Sequence, residues 1–385
     1  MDNLTPHIMI AGGKTGGHLF PGIAVAQAIQ RIAPKAAILF VGTDHPFETE
    51  TLERYGFAHK SIIARPLKGK NLFEKLSSMM VIMVSMMQSL WIIFRFKPKA
   101  VLGVGGFSSF AVVFSAFLTG IPTAIQEQNS IPGITNRMLS RFVKKIFIAF
   151  KETRTLAESP KAQFTGNPIR KAAPSADTGE PLQHTGPVLL VTGGSQGAHS
   201  INQAVVGAIR ESSIRDQILL IHQTGQEDEG WVKAQYEDMG IRHDTRAFFH
   251  DMPVCQDRAD LVICRSGAGT LSELALKGLP AILIPFPHAA DDHQTHNARA
   301  AVNQGAAVMI ADKELSASIL GRELSRLLES PETLAQMGEA SQSMAMADAD
   351  ETIARSLLDM AGFANSGSNT VTPGLTETPP KGGTA

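Results

Sequence analysis

The chain has 385 residues, a formal net charge of −1 at pH 7, and 43% hydrophobic against 18% charged residues. That is enough chain for two domains that each bury a core, and the charge is too balanced to draw nucleic acid as a partner. Its two cysteines, Cys255 and Cys264, form neither a CxxC pair nor a disulfide framework and read as buried reduced thiols of a cytosolic protein. Met1 to His7 carries no leader of basic then apolar residues, so no signal peptide is expected.

In chain order, the apolar run Ile8–Ala11 reads as a strand and leads into the loop Gly12-Gly13-Lys14-Thr15-Gly16-Gly17-His18. Pro21 to Ile32 then places Val25, Ile29 and Ile32 at helical spacing, with Pro21 suited to the first turn. Strand-like runs follow at Ile38–Val41, Val101–Val104, Thr123–Ile125 and Ile146–Phe150. Between the first two of these, Leu76 to Phe94 contains no charged residue and is flanked by Lys68, Lys70 and Lys75 before and Arg95, Lys97 and Lys99 after. Its length would cross a bilayer, but five serine and glutamine residues and the surrounding αβ alternation favour a basic-flanked helix resting on a membrane surface. Lys171 to Pro187 is polar and rich in Pro, Gly, Ala and Ser, as a linker would be. A second series then repeats the plan: Val188–Val191, Ile218–His222, Ala247–Phe249, Leu261–Cys264, Ala281–Ile284 and Val308–Ile310. Such alternation predicts an α/β protein with parallel sheets covered by helices on both faces. The expected organisation is a lobe at 1–170, a linker at 171–187, a second lobe at 188–350, a last helix at 351–363 and a disordered tail at 364–385.

Glycine loops carry the chemistry. Gly193-Gly194-Ser195-Gln196-Gly197-Ala198 follows a strand as Gly12 to His18 does, and each aims backbone N–H groups and a helix N-terminus at one point, an anion site suited to phosphate. A Walker loop would need glycine where Ile8 stands, and Gly103-Val104-Gly105-Gly106-Phe107-Ser108 ends in serine, so neither ATP hydrolysis nor NAD binding is supported. Gly193 to Gly197 also fits the G-x-S-x-G pattern of a hydrolase, with Asp251 and His288 as partners, but that reading leaves the first half unexplained. Cys264 to Glu273 is a glycine turn opening a helix, with Glu273 one turn in: either a dipole-stabilised glutamate or an acceptor for two ribose hydroxyls. His288 to Asn297 holds several potential ligands at no recognisable metal spacing; a polar loop facing a sugar is the better reading. His18, with an ordinary pKa of about 6.5, is placed either as a general base or as a partner of the loop or a phosphate.

The segments GGKTGGHLFPG (Gly12–Gly22), LGVGGFS (Leu102–Ser108), EQNSIPGITN (Glu127–Asn136), GNPIR (Gly166–Arg170), GGSQGA (Gly193–Ala198), Cys264–Glu273 and GLPAILIP (Gly278–Pro285), in this order, resemble the MurG family of bacterial N-acetylglucosaminyltransferases of peptidoglycan synthesis. The resemblance reaches to about residue 360. It implies a GT-B architecture, two Rossmann-like lobes facing an interlobe cleft, with the final helix crossing back to the first lobe. It further implies an inverting transfer from UDP-N-acetylglucosamine, held by the second lobe, to the C4 hydroxyl of a lipid-linked muramoyl-pentapeptide, held by the first. The enzyme would act peripherally at the cytoplasmic face of the inner membrane, without cofactor or metal, with cell-wall or division proteins as further candidate partners. Carried over, Ser195 would meet the UDP phosphates, Glu273 the ribose, and Ala268, Gly269, Thr270, Leu271 and Ser272 would surround them. Asn129 and Arg170 would reach the donor from the first lobe, Gln294 would hold the sugar, Phe249 would lie at the uracil, and Thr15, Gly16 and Gly17 would line the cleft. His18 would be the catalytic base. The family's first loop reads GGTGGH, whereas Lys14 is inserted here, which leaves Glu127 as an alternative base. A glycolipid glycosyltransferase, a UDP-N-acetylglucosamine 2-epimerase and a nucleotide-sugar-binding scaffold are the rival readings.

Overall fold

The computed structural model describes residues 5–13, 15–64, 72–169, 184–212 and 215–363. Its first sheet is built from β1 (His7–Ala11), β2 (Ala37–Gly42), β3 (Ala58–Ser61), β4 (Ala100–Gly103), β5 (Thr123–Glu127), β6 (Lys145–Ile148) and β7 (Ala162–Phe164), in the order β3-β2-β1-β4-β5-β6-β7. The second holds β8 (Val188–Thr192), β9 (Leu219–Gln223), β10 (His243–Arg246), β11 (Leu261–Cys264), β12 (Ala281–Leu283) and β13 (Ala307–Met309), in the order β10-β9-β8-β11-β12-β13. Every pairing in both is parallel. The fold is α/β with two Rossmann-like sheets. In each, strand order reverses beside the first strand, between β1 and β4 and between β8 and β11. The carboxyl ends at such a reversal leave a crevice where ligands bind.

The first sheet is covered by α1 (Gly16–Ile32), α2 (Pro46–Arg54), α3 (Leu72–Phe96), α4 (Phe107–Leu118) and α5 (Ile134–Leu139). Around the second lie α6 (His199–Arg210), α7 (Glu229–Asp238), α8 (Met252–Arg258), α9 (Ala268–Lys277), α10 (His293–Asn303), α11 (Ala317–Leu328) and α12 (Pro331–Ser343). The last helix, α13 (Ala349–Met360), follows the second sheet in the chain but packs on α1 of the first. There Ile353, Ala354, Leu357 and Leu358 join Ile8, Ile10, Leu19 and Ile23 in one core, each buried Ile or Leu contributing on the order of 2 kcal/mol. Arg31 pairs with Asp350 at 2.6 Å, and Lys145 donates to the Ser356 hydroxyl at 2.6 Å.

Two expectations need correction. Pro21 lies inside α1, because Gly16 and Gly17 already take helical geometry after Thr15, the extended N-cap. Proline there forgoes the hydrogen bond to the Gly17 carbonyl one turn earlier. Ala247–Phe249 is no strand. The pairing with β9 is made by the polar segment His243–Arg246, and the Phe249 N–H instead donates to the Gln223 side chain at 2.9 Å. The proposed linker lies outside the described residues up to 183, and the tail at 364–385 lies wholly outside them.

Candidate functional site

At the first crevice, the glycine loop leaves β1 and α1 begins at its end. His18, in the first turn of α1, lies against Gly105, the residue that turns the chain after β4: a Cβ there would come within 2.9 Å of the imidazole Nδ1, and its φ of 99° favours glycine. Gln128 fixes the ring's tautomer. Its Nε2 donates to the Val104 carbonyl at 2.8 Å, so its Oε1 faces His18 Nδ1, 3.3 Å away, as an acceptor. Nδ1 therefore carries the proton and Nε2 keeps its lone pair. Burial lowers the His18 pKa below the usual 6.5, and His293 adds to that, against the opposing bonds from Gln128 and Val104.

Glu127 has a different task. Its carboxylate is buried and accepts from the Asn129 N–H at 3.0 Å, the Asn129 side chain at 3.4 Å, the Gly133 N–H at 3.1 Å and Asn136 Nδ2 at 2.8 Å. Burial raises its pKa while these bonds pull it down. With both oxygens engaged by its own loop, Glu127 is the hub that shapes residues 127–136 and presents Asn129.

At the second crevice, the loop after β8 stands open: Gly194, Ser195 and Gln196 are exposed. Gly197 has φ 74° and a Cβ there would run into the Thr224 carbonyl, so its tight approach needs glycine. Gln223 braces this loop, donating to the Gly194 carbonyl at 2.9 Å while its Oε1 accepts from the Phe249 N–H. The Phe249 ring is buried with the Arg246 guanidinium 4.9 Å from its centroid, so it offers no open face for a base to stack on. From Gly267, α9 brings Ala268 to Glu273 into the same crevice, its first N–H groups without intrahelical partners. Glu273 accepts from Gln256 Nε2 at 3.2 Å.

α10 closes the arrangement. Asp291 and Asp292 precede it with φ of 51° and 52°, a left-handed pair that costs on the order of 1 kcal/mol per residue. Gln294 Oε1 accepts from the Phe286 N–H at 3.0 Å and the Gln294 carbonyl accepts from the Ser266 hydroxyl at 2.8 Å. Arg265 beneath spends its guanidinium on the Ile284 and Pro285 carbonyls, Asp312 and Ser200. α1 and α9 meet across the cleft, and His293 at the start of α10 is near enough to His18 to lower its pKa.

The structure thus brings Thr15, Gly16, Gly17, His18 and Asn129 to the carboxyl end of one sheet, and Ser195, Ala268 to Glu273 and Gln294 to that of the other. Lys14 and Arg170 lie outside the described residues. Sequence reading assigned no role to Gln128, Gln223, Gln256, Ser266 and Asn297; Gln128, Ser266 and Asn297 lie inside the quoted segments, but each of the five acts through partners distant in sequence. Among the described residues no hydrogen bond joins Ser195, Asp251 and His288, and no group of three or more His, Cys, Asp or Glu is placed to hold a metal ion. Cys255 and Cys264 are free and buried, and burial pushes both thiols up to about 12.

On the first lobe, α3 exposes Met79, Met80, Met83, Met87, Trp91 and Phe94, and the neighbouring α4 and α5 region adds Phe117, Leu118, Met138 and Phe142. α3 is the one described helix long and apolar enough to cross a membrane, by length and composition.

The N-terminal domain of glycosyltransferase family 28 matches residues 8–148, and the C-terminal domain of the same family matches residues 188–353. A relative from Anaeromyxobacter dehalogenans (strain 2CP-C), named UDP-N-acetylglucosamine–N-acetylmuramyl-(pentapeptide) pyrophosphoryl-undecaprenol N-acetylglucosamine transferase, is 41% identical over 348 residues, covering 90% of this chain and 91% of its own. A protein of the same name from Myxococcus xanthus (strain DK1622) is 40% identical over 354 residues, covering 92% of each. The crystal structure of Acinetobacter baumannii MurG superposes with a TM-score of 0.76 at 27% identity, covering 92% of this chain and 99% of that one.

Proposed function

This chain belongs to glycosyltransferase family 28, and on that premise we propose that it transfers N-acetylglucosamine from UDP-N-acetylglucosamine to the C4 hydroxyl of undecaprenyl-diphospho-muramoyl-pentapeptide. The second lobe, 188–350, takes the donor. Ser195 and the loop N–H groups receive the diphosphate, Ala268, Gly269, Thr270, Leu271 and Ser272 line its path, Glu273 takes the ribose hydroxyls and Gln294 those of the sugar. The buried Phe249 acts through its neighbours, setting the floor of the uracil pocket. The first lobe, 1–170, takes the acceptor, with Thr15, Gly16 and Gly17 beside the diphosphates and Asn129 and Arg170 reaching the donor.

The acceptor hydroxyl attacks the anomeric carbon as the bond to the UDP oxygen breaks, and His18 Nε2 takes the hydroxyl proton. An α-linked donor gives a β-linked product in this single displacement. Negative charge grows on the leaving diphosphate, where the exposed loop after β8 and the start of α9 already point N–H groups, so stabilisation requires no reorganisation. The observation that carries this reading is the His18–Gln128–Val104 relay, which holds Nε2 unprotonated in the first-lobe crevice, on the helix α1 that meets α9.

The exposed apolar face of α3, followed by Arg95, Lys97 and Lys99, rests on the cytoplasmic face of the inner membrane, where the lipid-linked acceptor resides. The test is transfer of labelled N-acetylglucosamine from UDP onto the lipid-linked acceptor. Turnover by the wild type supports the assignment. Release of UDP-N-acetylmannosamine without acceptor, or UDP-sugar binding without any turnover, would overturn it in favour of the epimerase or the scaffold.

A further inference from the structure

The side chain of Asn297, on α10, is fully buried between the two lobes and uses its whole hydrogen-bonding capacity there. Its Oδ1 accepts from the Ser130 N–H at 3.0 Å and the Ser130 hydroxyl at 2.9 Å. Its Nδ2 donates to Asn129 Oδ1 at 3.2 Å and to the Ser266 carbonyl at 3.3 Å. Asn129 and Ser130 belong to the loop after β5 of the first sheet. Ser266 immediately precedes the N-cap of α9 in the second, and its hydroxyl donates to the Gln294 carbonyl, one turn before Asn297 on α10. One amide therefore joins three segments: the first-lobe loop, the start of α9, and α10.

That loop also carries Gln128, the partner of His18, and is made rigid by Glu127. Shifting it relative to α9 shifts His18 relative to whatever the second lobe holds. At the rim, Arg137 pairs with Asp291 at 3.3 Å, but this pair is solvated and adds little. Resting on the transferase reading above, we propose that Asn297 is a positioning residue for the transfer step: it sets the register between the His18–Gln128 loop and the donor-binding helix start without touching either substrate.

The variants Asn297→Asp, Asn297→Ala, Ser130→Ala and the Ser130→Ala/Asn297→Ala double, all in the full chain, test this. Aspartate has the shape of asparagine and can still accept from Ser130, but it offers no donor to the Ser266 carbonyl. Both Asn297 variants should lose about ten- to a hundredfold in kcat at saturating donor, since misplacement by an ångström costs that order. UDP affinity, measured by calorimetry with UDP alone, should move by less than about threefold, because Ser195 and Glu273, the phosphate and ribose contacts proposed above, lie in the second lobe and make no hydrogen bond to Asn297. The Ser130 amide should exchange with deuterium roughly tenfold faster. The double variant should be no slower than Asn297→Ala, since both changes break one link. A kcat within about twofold of wild type, losses that multiply in the double variant, or a parallel collapse of UDP affinity would each overturn the proposal. Unchanged exchange at Ser130 would overturn the clamp itself. A wild type that binds UDP but transfers nothing would sink the functional reading instead, and the exchange measurement would still decide whether Asn297 joins the lobes.

Discussion

The two crevices arise from the same strand order, with a glycine loop after the first strand of each sheet, yet they are finished differently. In the first, Gly12 and Gly13 are buried, His18 is seated on Gly105, and Glu127 holds the adjacent loop with four hydrogen bonds. In the second, Gly194, Ser195 and Gln196 stand exposed, with the Gly194 N–H donating to the Thr192 hydroxyl at 3.1 Å. A packed crevice fixes one side chain in one tautomer, as proton transfer demands. An open loop offers dipoles to a ligand that must enter and leave, as a nucleotide does. In the transferase reading proposed above, one topology thus serves two tasks, and the packing of the loops decides which.

Removing the fixed side chain breaks this contrast most severely. His18→Ala should cut kcat by about 10²–10⁴ and leave UDP affinity unchanged. The pH profile sharpens the point. His18 must be neutral to accept a proton and burial holds its pKa below 6.5, so activity should rise with pH through an acid limb whose midpoint lies below that value. Gln128→Leu removes a bond that raises the pKa, so the acid limb should move further down while the plateau falls as the tautomer is released. An acid limb above 6.5 would take the base role away from His18.

The next effect tests the packing of the first crevice. Glu127→Ala would strand the buried Asn136 amide and release the Asn129 and Gly133 N–H groups, and should lower stability by on the order of 2 kcal/mol, read as a drop in Tm. A variant that keeps its Tm while losing activity would make Glu127 a reacting group instead of a scaffold. In the open crevice, Glu273→Ala should raise the Kd for UDP about tenfold while lowering Tm by less than Glu127→Ala does, since Glu273 is partly exposed and Glu127 is buried. A first-lobe substitution with that signature, or a second-lobe one that cost stability alone, would blur the division.

Sequence reading reached the sheets, the glycine loops and the family because apolar runs and glycine spacing are local signals. It missed β3, β7 and β10, all three edge strands. An edge strand is covered on fewer sides, so Ala58–Ser61 and His243–Arg246 carry polar residues and no apolar run. The site divides the same way. Gly12, His18, Ser195 and Glu273 sit in motifs and were legible. Gln128 is 110 residues from the His18 it orients, and Asn297 is 167 from Ser130, distances over which spacing says nothing. Phe249 shows the converse: its N–H reaches the Gln223 that braces the loop after β8, but Arg246 covers its ring.

The smallest expected effect concerns the outside of the first lobe. The α3 face exposes Met83 at 60%, Met87 at 67% and Trp91 at 66%, while Ile92 and Ile93 on the other side are buried against the sheet. A helix that served only the core would not leave so broad an apolar face in water, and one that spanned a bilayer would not bury Ile92 and Ile93 in a sheet's core. Trp91→Lys should therefore leave Tm and transfer to a soluble acceptor analogue unchanged, since the ring has little to lose inside the protein. It should weaken sedimentation with anionic vesicles about tenfold, the value of one interfacial side chain. Unchanged vesicle binding would move the contact to Phe117, Leu118 and Phe142 nearby. A fall in Tm would mean that the exposed ring supports the lobe itself, and the first lobe would then have no face reserved for a membrane.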